Sequence, residues 1–288
     1  MDWERAKNII VVFFLLLNIT LGAMLFIEDR RYTLAGDQDR LIRTVLNQNG
    51  ISMYALSLQR FPPMRPLDVT GFYYDTDTLD ALLEMFFANP ELVAISNQFG
   101  GEVFQYGRRR MSITNGFIFF DDPEGFCPAV EPVSHVTEPW AASLAAQFID
   151  TYFPDFVRDD VFYAGGGFRI IYRQQYGGRL VHSNFVEFLI TPIGINQVEM
   201  QFGQIKSHSG TPVMIFSPDE VLLTFVQRVR HMAQDTPMNI NRMDLVYFQE
   251  YVSDLYYVSP AVPFYRIFTD CGGGRPFLIN AFTNVIID

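Results

Sequence analysis

Between Ile9 and Ile27 the chain carries no charged residue, and no other stretch limits its folding choices as much. An uncharged helical run of that length, at about 1.5 Å per residue, reaches roughly 28 Å, close to the hydrocarbon thickness of a bilayer. The run predicts a single transmembrane helix. A cleaved signal peptide is the competing reading, but its apolar region normally covers about 7 to 15 residues and closes on small side chains. Here the run ends in Met24, Leu25, Phe26 and Ile27; Gly22 and Ala23 make only a weak cleavage site, and no cysteine lies there to take a lipid. The uncleaved anchor is the favoured reading. Arg5 and Lys7 precede the run and the mixed-sign Glu28, Asp29, Arg30 and Arg31 follow it, so the charge rule alone is close to a tie. The short amino-terminal tail favours a single-pass protein of the cell membrane, with its amino terminus in the cytoplasm and its main domain outside.

The remainder has the composition of a folded domain. With 49% hydrophobic, 15% aromatic and 18% charged residues, there is apolar surface for one or two cores. A formal charge of −11 argues against nucleic acid, which needs basic clusters; Arg108, Arg109 and Arg110 form a short one that reads as a solvated strand end. The two cysteines, Cys127 and Cys271, are too few for a disulfide framework, and spacing does not settle whether they pair.

Hydrophobic periodicity predicts four helices beyond the anchor. The first runs from Asp37 to Gly50, with Leu41, Ile42, Val45 and Leu46 on one side, and the second starts at Thr76 or Asp77 and stops at Asn89-Pro90. The third follows Thr137-Glu138-Pro139, and the fourth runs from Ser217 to about Met232, opened by a Ser-Pro-x-Glu cap. Strand patterns fall around 51–58, 67–74, 92–98, 102–106, 110–113, 116–120, 169–175, 184–190, 196–201, 243–249, 255–258, 263–269 and 276–282, several divided by Gly-Gly or Pro-Ile-Gly turns. Together these predict an α+β fold: an N-terminal transmembrane helix, then extracytoplasmic antiparallel sheets packed with helices. The expected organisation is a tail and anchor over 1–30, a first α+β subdomain over 37–120, a Pro-rich linker over 121–136 and a second α+β domain over 137–288.

No catalytic motif emerges. His135, His182, His208 and His231 have no metal-ligand spacing, the glycine triplets at 165–167 and 272–274 lack a following Lys-Ser or Lys-Thr and read as hairpin turns, and Asp75-Thr-Asp77 reads as a helix cap rather than a calcium loop. The expectation is a non-enzymatic protein without metal or cofactor. Asp121, Asp122 and Glu124 are the acidic residues through which an anchored hydrolase would have to act, and a wall-facing binding module would instead use exposed aromatics. In the anchor, Leu15, Asn18, Gly22 and Phe26 project from one helix face, a polar and small-residue surface suited to a partner helix.

The opening Met1-Asp2-Trp3-x-x-Ala6-Lys7-Asn8-Ile9, with its aliphatic run containing Asn18, resembles the YycI proteins of Gram-positive bacteria. Three later segments resemble that family in the same order: Ile171-Tyr-Arg-Gln-Gln-Tyr176; Phe216-Ser-Pro-Asp-Glu-Val-Leu-Leu223; and Pro263-Phe-Tyr-Arg-Ile267 with Phe277-Leu-Ile-Asn-Ala-Phe-Thr-Asn284, where Asn284 replaces a usual glycine. The resemblance implies a membrane-anchored regulator of the WalK-like sensor histidine kinase that controls cell-wall metabolism, acting with a YycH-like partner. It further implies contact with the kinase through the transmembrane helix, on the face of Leu15, Asn18, Gly22 and Phe26.

Overall fold

The structure, a computed structural model, describes residues 3–31, 34, 36–54, 58–71, 75–87, 89–98, 100–126, 133–201, 203–249, 258–271 and 275–287. In chain order these form α1 (Trp3–Arg31), α2 (Gly36–Gln48), β1 (Ile51–Met53), β2 (Leu67–Thr70), α3 (Thr76–Phe86), β3 (Ala94–Gln98), β4 (Gly101–Tyr106), β5 (Arg109–Thr114), β6 (Phe117–Phe126), α4 (Glu138–Tyr152), β7 (Phe156–Ala164), β8 (Gly167–Tyr176), β9 (Arg179–Thr191), β10 (Gly194–Gln201), β11 (Gln204–His208), α5 (Pro218–Asp235), β12 (Met238–Phe248), β13 (Val258–Thr269), β14 (Phe277–Asn280) and β15 (Ile286–Ile287). The chain divides into two compact units, one made of Met1–Met64, Pro212–Met243 and Ile267–Asp288, the other of Arg65–Thr211 and Asp244–Arg266. Both expected segments, 37–120 and 137–288, contribute to each unit. The expected linker over 121–136 begins as the last part of β6.

The expectation of a membrane-crossing N-terminal helix is overturned. Among the described residues no helix is long and apolar enough to cross a membrane. The fold is α+β with a large, mainly antiparallel sheet, and among the described residues no helix suited to cross a membrane precedes it.

The second unit holds most of that sheet, in the order β11-β2-β13-β12-β9-β10-β6-β5-β4-β3, with β8 also on β9 and β7 on β8. Ladders from β3 to β6, from β6 through β10 to β9, and from β9 through β8 to β7 are antiparallel, whereas β12 meets β9 in parallel at Tyr247 and Val181. Local chemistry dictates the hairpins. Asn115-Gly116, Gly165-Gly166 and Gly177-Gly178 each place two consecutive residues at positive φ, the turn whose twist matches paired strands and which glycine and asparagine reach at least cost.

On one face of this sheet lie α3 and α4. Asp75 caps α3 by accepting the Thr78 N–H at 2.9 Å, and Pro139 sits in the first turn of α4, so both helices start where their sequences direct. Their apolar sides bring Phe86 onto Phe120 in a stack with centroids 4.4 Å apart, and Phe148 edge-on to Phe188 at 5.3 Å. Ile118 and Phe120 of β6, Val186, Phe188 and Ile190 of β9, and Val198 and Met200 of β10 complete the core by strict alternation. The first unit is built on α2 and α5, with β1 parallel to the start of β12 and β14 paired to β15. Phe225 of α5 meets Phe277 edge-on at 5.1 Å. At the head of α5 the Glu220 carboxylate accepts from the Ser217 N–H at 2.8 Å and its hydroxyl at 2.7 Å.

Candidate functional site

The second unit contains a cleft of about 870 Å³ between α3, α4 and the sheet. Phe87, Phe126, Leu144, Phe148 and Ile195 make an apolar floor, and Glu84, Gln147, Asp150 and Thr151 stand among its exposed polar lining. Four positions near the end of α4, Gln147, Phe148, Asp150 and Thr151, can serve floor and rim together because a helix turns about 100° per residue. Arg109 of β5 also reaches the cleft. Its Nε lies 2.8 Å from Oδ2 of the fully buried Asp122, an ion pair whose N–H is not aligned for a hydrogen bond; the other oxygen, Oδ1, accepts the Glu124 N–H at 3.0 Å. The Arg109 guanidinium lies 5.8 Å from the centre of the Phe126 ring. Its charge is therefore largely cancelled by Asp122, which leaves Glu84 and Asp150 to give the rim a negative character.

A second constellation in the same unit is ionic. Arg266, fully buried on β13, donates from Nε and Nη2 to the two oxygens of Asp244 at 2.7 Å each. Through Nη1 and Nη2 it also donates to Asp159 at 2.6 and 2.9 Å. Arg173 of β8 shares Asp159, its Nε donating at 2.7 Å, and a second nitrogen donates to the His182 carbonyl. Since a guanidinium only donates, the His182 Nδ1 found 3.3 Å from Arg266 Nη1 is the acceptor, as in a neutral ring. Burial works to raise the Asp159 pKa, yet the hydrogen bonds and charges of Arg266 and Arg173 outweigh it and hold this carboxyl well below the usual range. Burial likewise disfavours the Arg266 cation, and its hydrogen bonds to Asp244 and Asp159 more than restore it. Next to this network the buried Asn184 amide donates to Gln174 at 2.6 Å and to the Gly203 carbonyl at 2.9 Å, and accepts the Gly203 N–H at 3.0 Å.

The residues singled out from sequence are scattered by the fold. Leu15, Asn18 and Gly22 share a side of α1 through their spacing; the Asn18 amide donates to the Phe14 carbonyl of its own helix at 2.9 Å, and a Cβ on Gly22 would meet open space. The side chain of Phe26 lies outside the described residues, as do Cys127 and the 272–274 triplet. Cys271 is exposed, and its thiol lies 3.3 Å from Asp270. Asp121 and Asp122 are neighbours on a strand and so point to opposite faces: Asp121 accepts from Gln197 at 3.1 Å whereas Asp122 turns inward. Glu124 is a surface residue 3.8 Å from Arg108. Sequence reasoning missed Glu84, Arg109 and Asp150 as cleft residues, because they come from three elements far apart along the chain. The Arg108 to Arg110 cluster was the one local signal.

No family model matches the chain and no curated protein matches it. Among solved structures, an uncharacterized protein from Eubacterium rectale is similar over 83% of this chain and 90% of its own, with a TM-score of 0.54 and 10% identity. At that identity the likeness is one of fold alone. The C-terminal domain of Bacillus megaterium YpeB, which belongs to a family other than YycI, covers 76% of this chain and 97% of its own length at 11% identity, but a TM-score of 0.41 is too low to carry any argument.

Proposed function

We propose that this protein is a YycI-like, non-enzymatic regulator that works outside the cytoplasm in association with the cell membrane. It binds a YycH-like protein and a WalK-like sensor histidine kinase, and so biases kinase output in the control of cell-wall metabolism. The observation that carries the reading is the convergence of Arg173 and Arg266 on Asp159. These arginines belong to two of the segments that resemble the family, so the resemblance falls on residues that act together rather than on unrelated short matches. The cleft supports the binding part of the proposal. Its apolar aromatic floor and polar rim have the make-up of a surface that receives a segment of another protein. A partner bound there shifts the kinase only by the difference in its contact energy with the two kinase states.

Capture of the kinase and the YycH-like protein by the tagged full-length chain tests the proposal, comparing wild type with Glu84→Lys/Asp150→Lys. Capture of both by wild type and loss of one in the variant is the expected result. Wild-type protein that captures neither overturns the regulatory reading, and binding of purified chain to peptidoglycan under the same conditions would put a wall-binding module in its place.

A further inference from the structure

We infer that the cleft of the second unit takes a lysine or arginine side chain, flanked by an apolar residue, from a segment of another protein. The inference rests on the reading of this cleft as the surface that receives a partner, and adds the chemistry of what enters it.

Two helices end at the cleft. Glu84 lies in the last turn of α3 and Asp150 in the last turn of α4, and both line the cleft with exposed side chains. Phe86 and Phe148, each two positions from its acid, stack with ring centres 5.9 Å apart, so the two turns lie side by side. The carboxyl end of a helix carries the negative end of its dipole, which favours a cation and disfavours a carboxylate. Here each end bears a carboxylate, and neither last turn holds a basic residue. Among the described residues neither Glu84 nor Asp150 has an ion-pair or hydrogen-bond partner. Arg109 does not compensate them, since its Nε lies against Asp122. Within the chain itself this placement costs stability, and a cation bound between the two helix ends would relieve it.

The apolar lining selects the kind of cation. Met85 and Phe126, half-buried, and Tyr152, 44% exposed, keep apolar surface open to the cleft above the buried Phe148. Tyr152 stands beside Phe148 with ring centres 5.0 Å apart. A bare divalent ion takes about six or more oxygen ligands, which two carboxylates beside aromatic rings do not supply. A lysine or arginine fits both parts of the site: its methylene stem lies along apolar surface, its head reaches the carboxylates, and aromatic faces attract it further. At about 870 Å³ the cleft exceeds one side chain and falls within the range of roughly 300 to 1,000 Å³ typical of ligand sites. That leaves room for an apolar neighbour against the adaptable Met85.

The test selects peptides with the purified full chain in mild detergent, from an immobilised library of heptapeptides randomised at every position, and compares wild type with Glu84→Gln/Asp150→Asn. Enrichment of lysine or arginine beside a leucine, methionine or aromatic residue is expected on wild type, with that enrichment lost on the variant. A selected peptide should bind wild type about tenfold or more tighter than the variant by fluorescence anisotropy, as charge-assisted hydrogen bonds require. The variant should melt at or above the wild-type temperature, because it removes two carboxylates that oppose their helix dipoles. Lower melting would give Glu84 and Asp150 a structural role and overturn the inference, as would equal enrichment on both proteins or none on either. Spermidine that binds wild type as tightly as the best peptide would assign the site to a free polyamine instead. A wild-type dimer that the variant makes monomeric would assign it to a second copy. Capture of the YycH-like protein or the kinase that is lost in Glu84→Lys/Asp150→Lys but kept in Glu84→Gln/Asp150→Asn would sink this inference alone and leave the cleft a partner surface. Capture unaffected by either variant would remove both.

Discussion

Replacing Asp159 by alanine should destabilise the protein more than any comparable change at a surface ion pair. Its side chain is 4% exposed and is shared by Arg266, which is wholly buried, and Arg173. Removing it takes one of the carboxylates that hold Arg266, beside Asp244, and one acceptor from Arg173, so two guanidinium groups lose compensation in a site that water barely reaches. Breaking a buried pair in this way typically costs about 3 to 5 kcal/mol, whereas exposed pairs are worth about 0 to 1 kcal/mol. At about 2 to 4 °C per kcal/mol for a chain of this order of size, melting should fall by roughly 6 to 20 °C. Urea denaturation of the full-length chain, followed by tyrosine and tryptophan fluorescence and far-ultraviolet circular dichroism, measures the change directly. Arg266→Met on the Asp159→Ala background should cost less than Arg266→Met alone, because the orphaned cation has then gone. The pH dependence has a fixed sign. The folded Asp159 pKa lies below its unfolded value, so its stabilisation is complete above the unfolded pKa of about 3.9 and is lost as the pH falls from there through the folded value. Wild type should lose part of its stability margin over that acid range, and Asp159→Ala should lose correspondingly less. A destabilisation below about 1 kcal/mol, or equal acid sensitivity in both proteins, would refute the reasoning.

Other expectations follow from packing and backbone geometry. Phe86→Ala removes a ring stacked on Phe120 in the core beneath α3 and should cost about 3 to 5 kcal/mol, read from the denaturation midpoint at unchanged slope. Gly125 has a φ of +82°, and a Cβ there would lie 2.2 Å from the Ile193 carbonyl oxygen; Gly125→Ala should therefore lose more than the roughly 1 to 2 kcal/mol of left-handed backbone alone, measured in the same way. Glu220→Ala removes both acceptor contacts to Ser217 and should lower stability by about 0.3 to 1.5 kcal/mol, with amide exchange rising first in the opening turn of α5.

Helix starts and tight turns were legible in the sequence because their causes lie within a few residues. Asp75 caps α3 through Thr78, Pro139 opens α4, and Glu220 closes on Ser217. Gly177-Gly178 supplies the two positive φ values its hairpin needs. Asn284, standing where the resembling family has glycine, adopts a φ of +57°, a conformation that asparagine and glycine share for the same steric reason. Strands β7 and β11 escaped detection because each is an edge strand with a bulge and a mostly exposed or mixed pattern, so the alternation that marks a strand is missing. The apolar run at the amino terminus specified a helix, which α1 is, and length and hydropathy alone led to a membrane crossing that the described part of α1 does not support.

Composition, caps and turns thus determined by themselves that the chain is α+β with antiparallel hairpins, because each is a property of neighbouring residues. The sheet order, the cleft and the ion network were decided only by tertiary structure. Arg266 and Asp159 are 107 positions apart, and Arg109, Glu84 and Asp150 come from a strand and two helices. Nothing local records such meetings: a buried charge is tolerated only where distant segments deliver its counter-charges, and that delivery exists only once the strands have found their register.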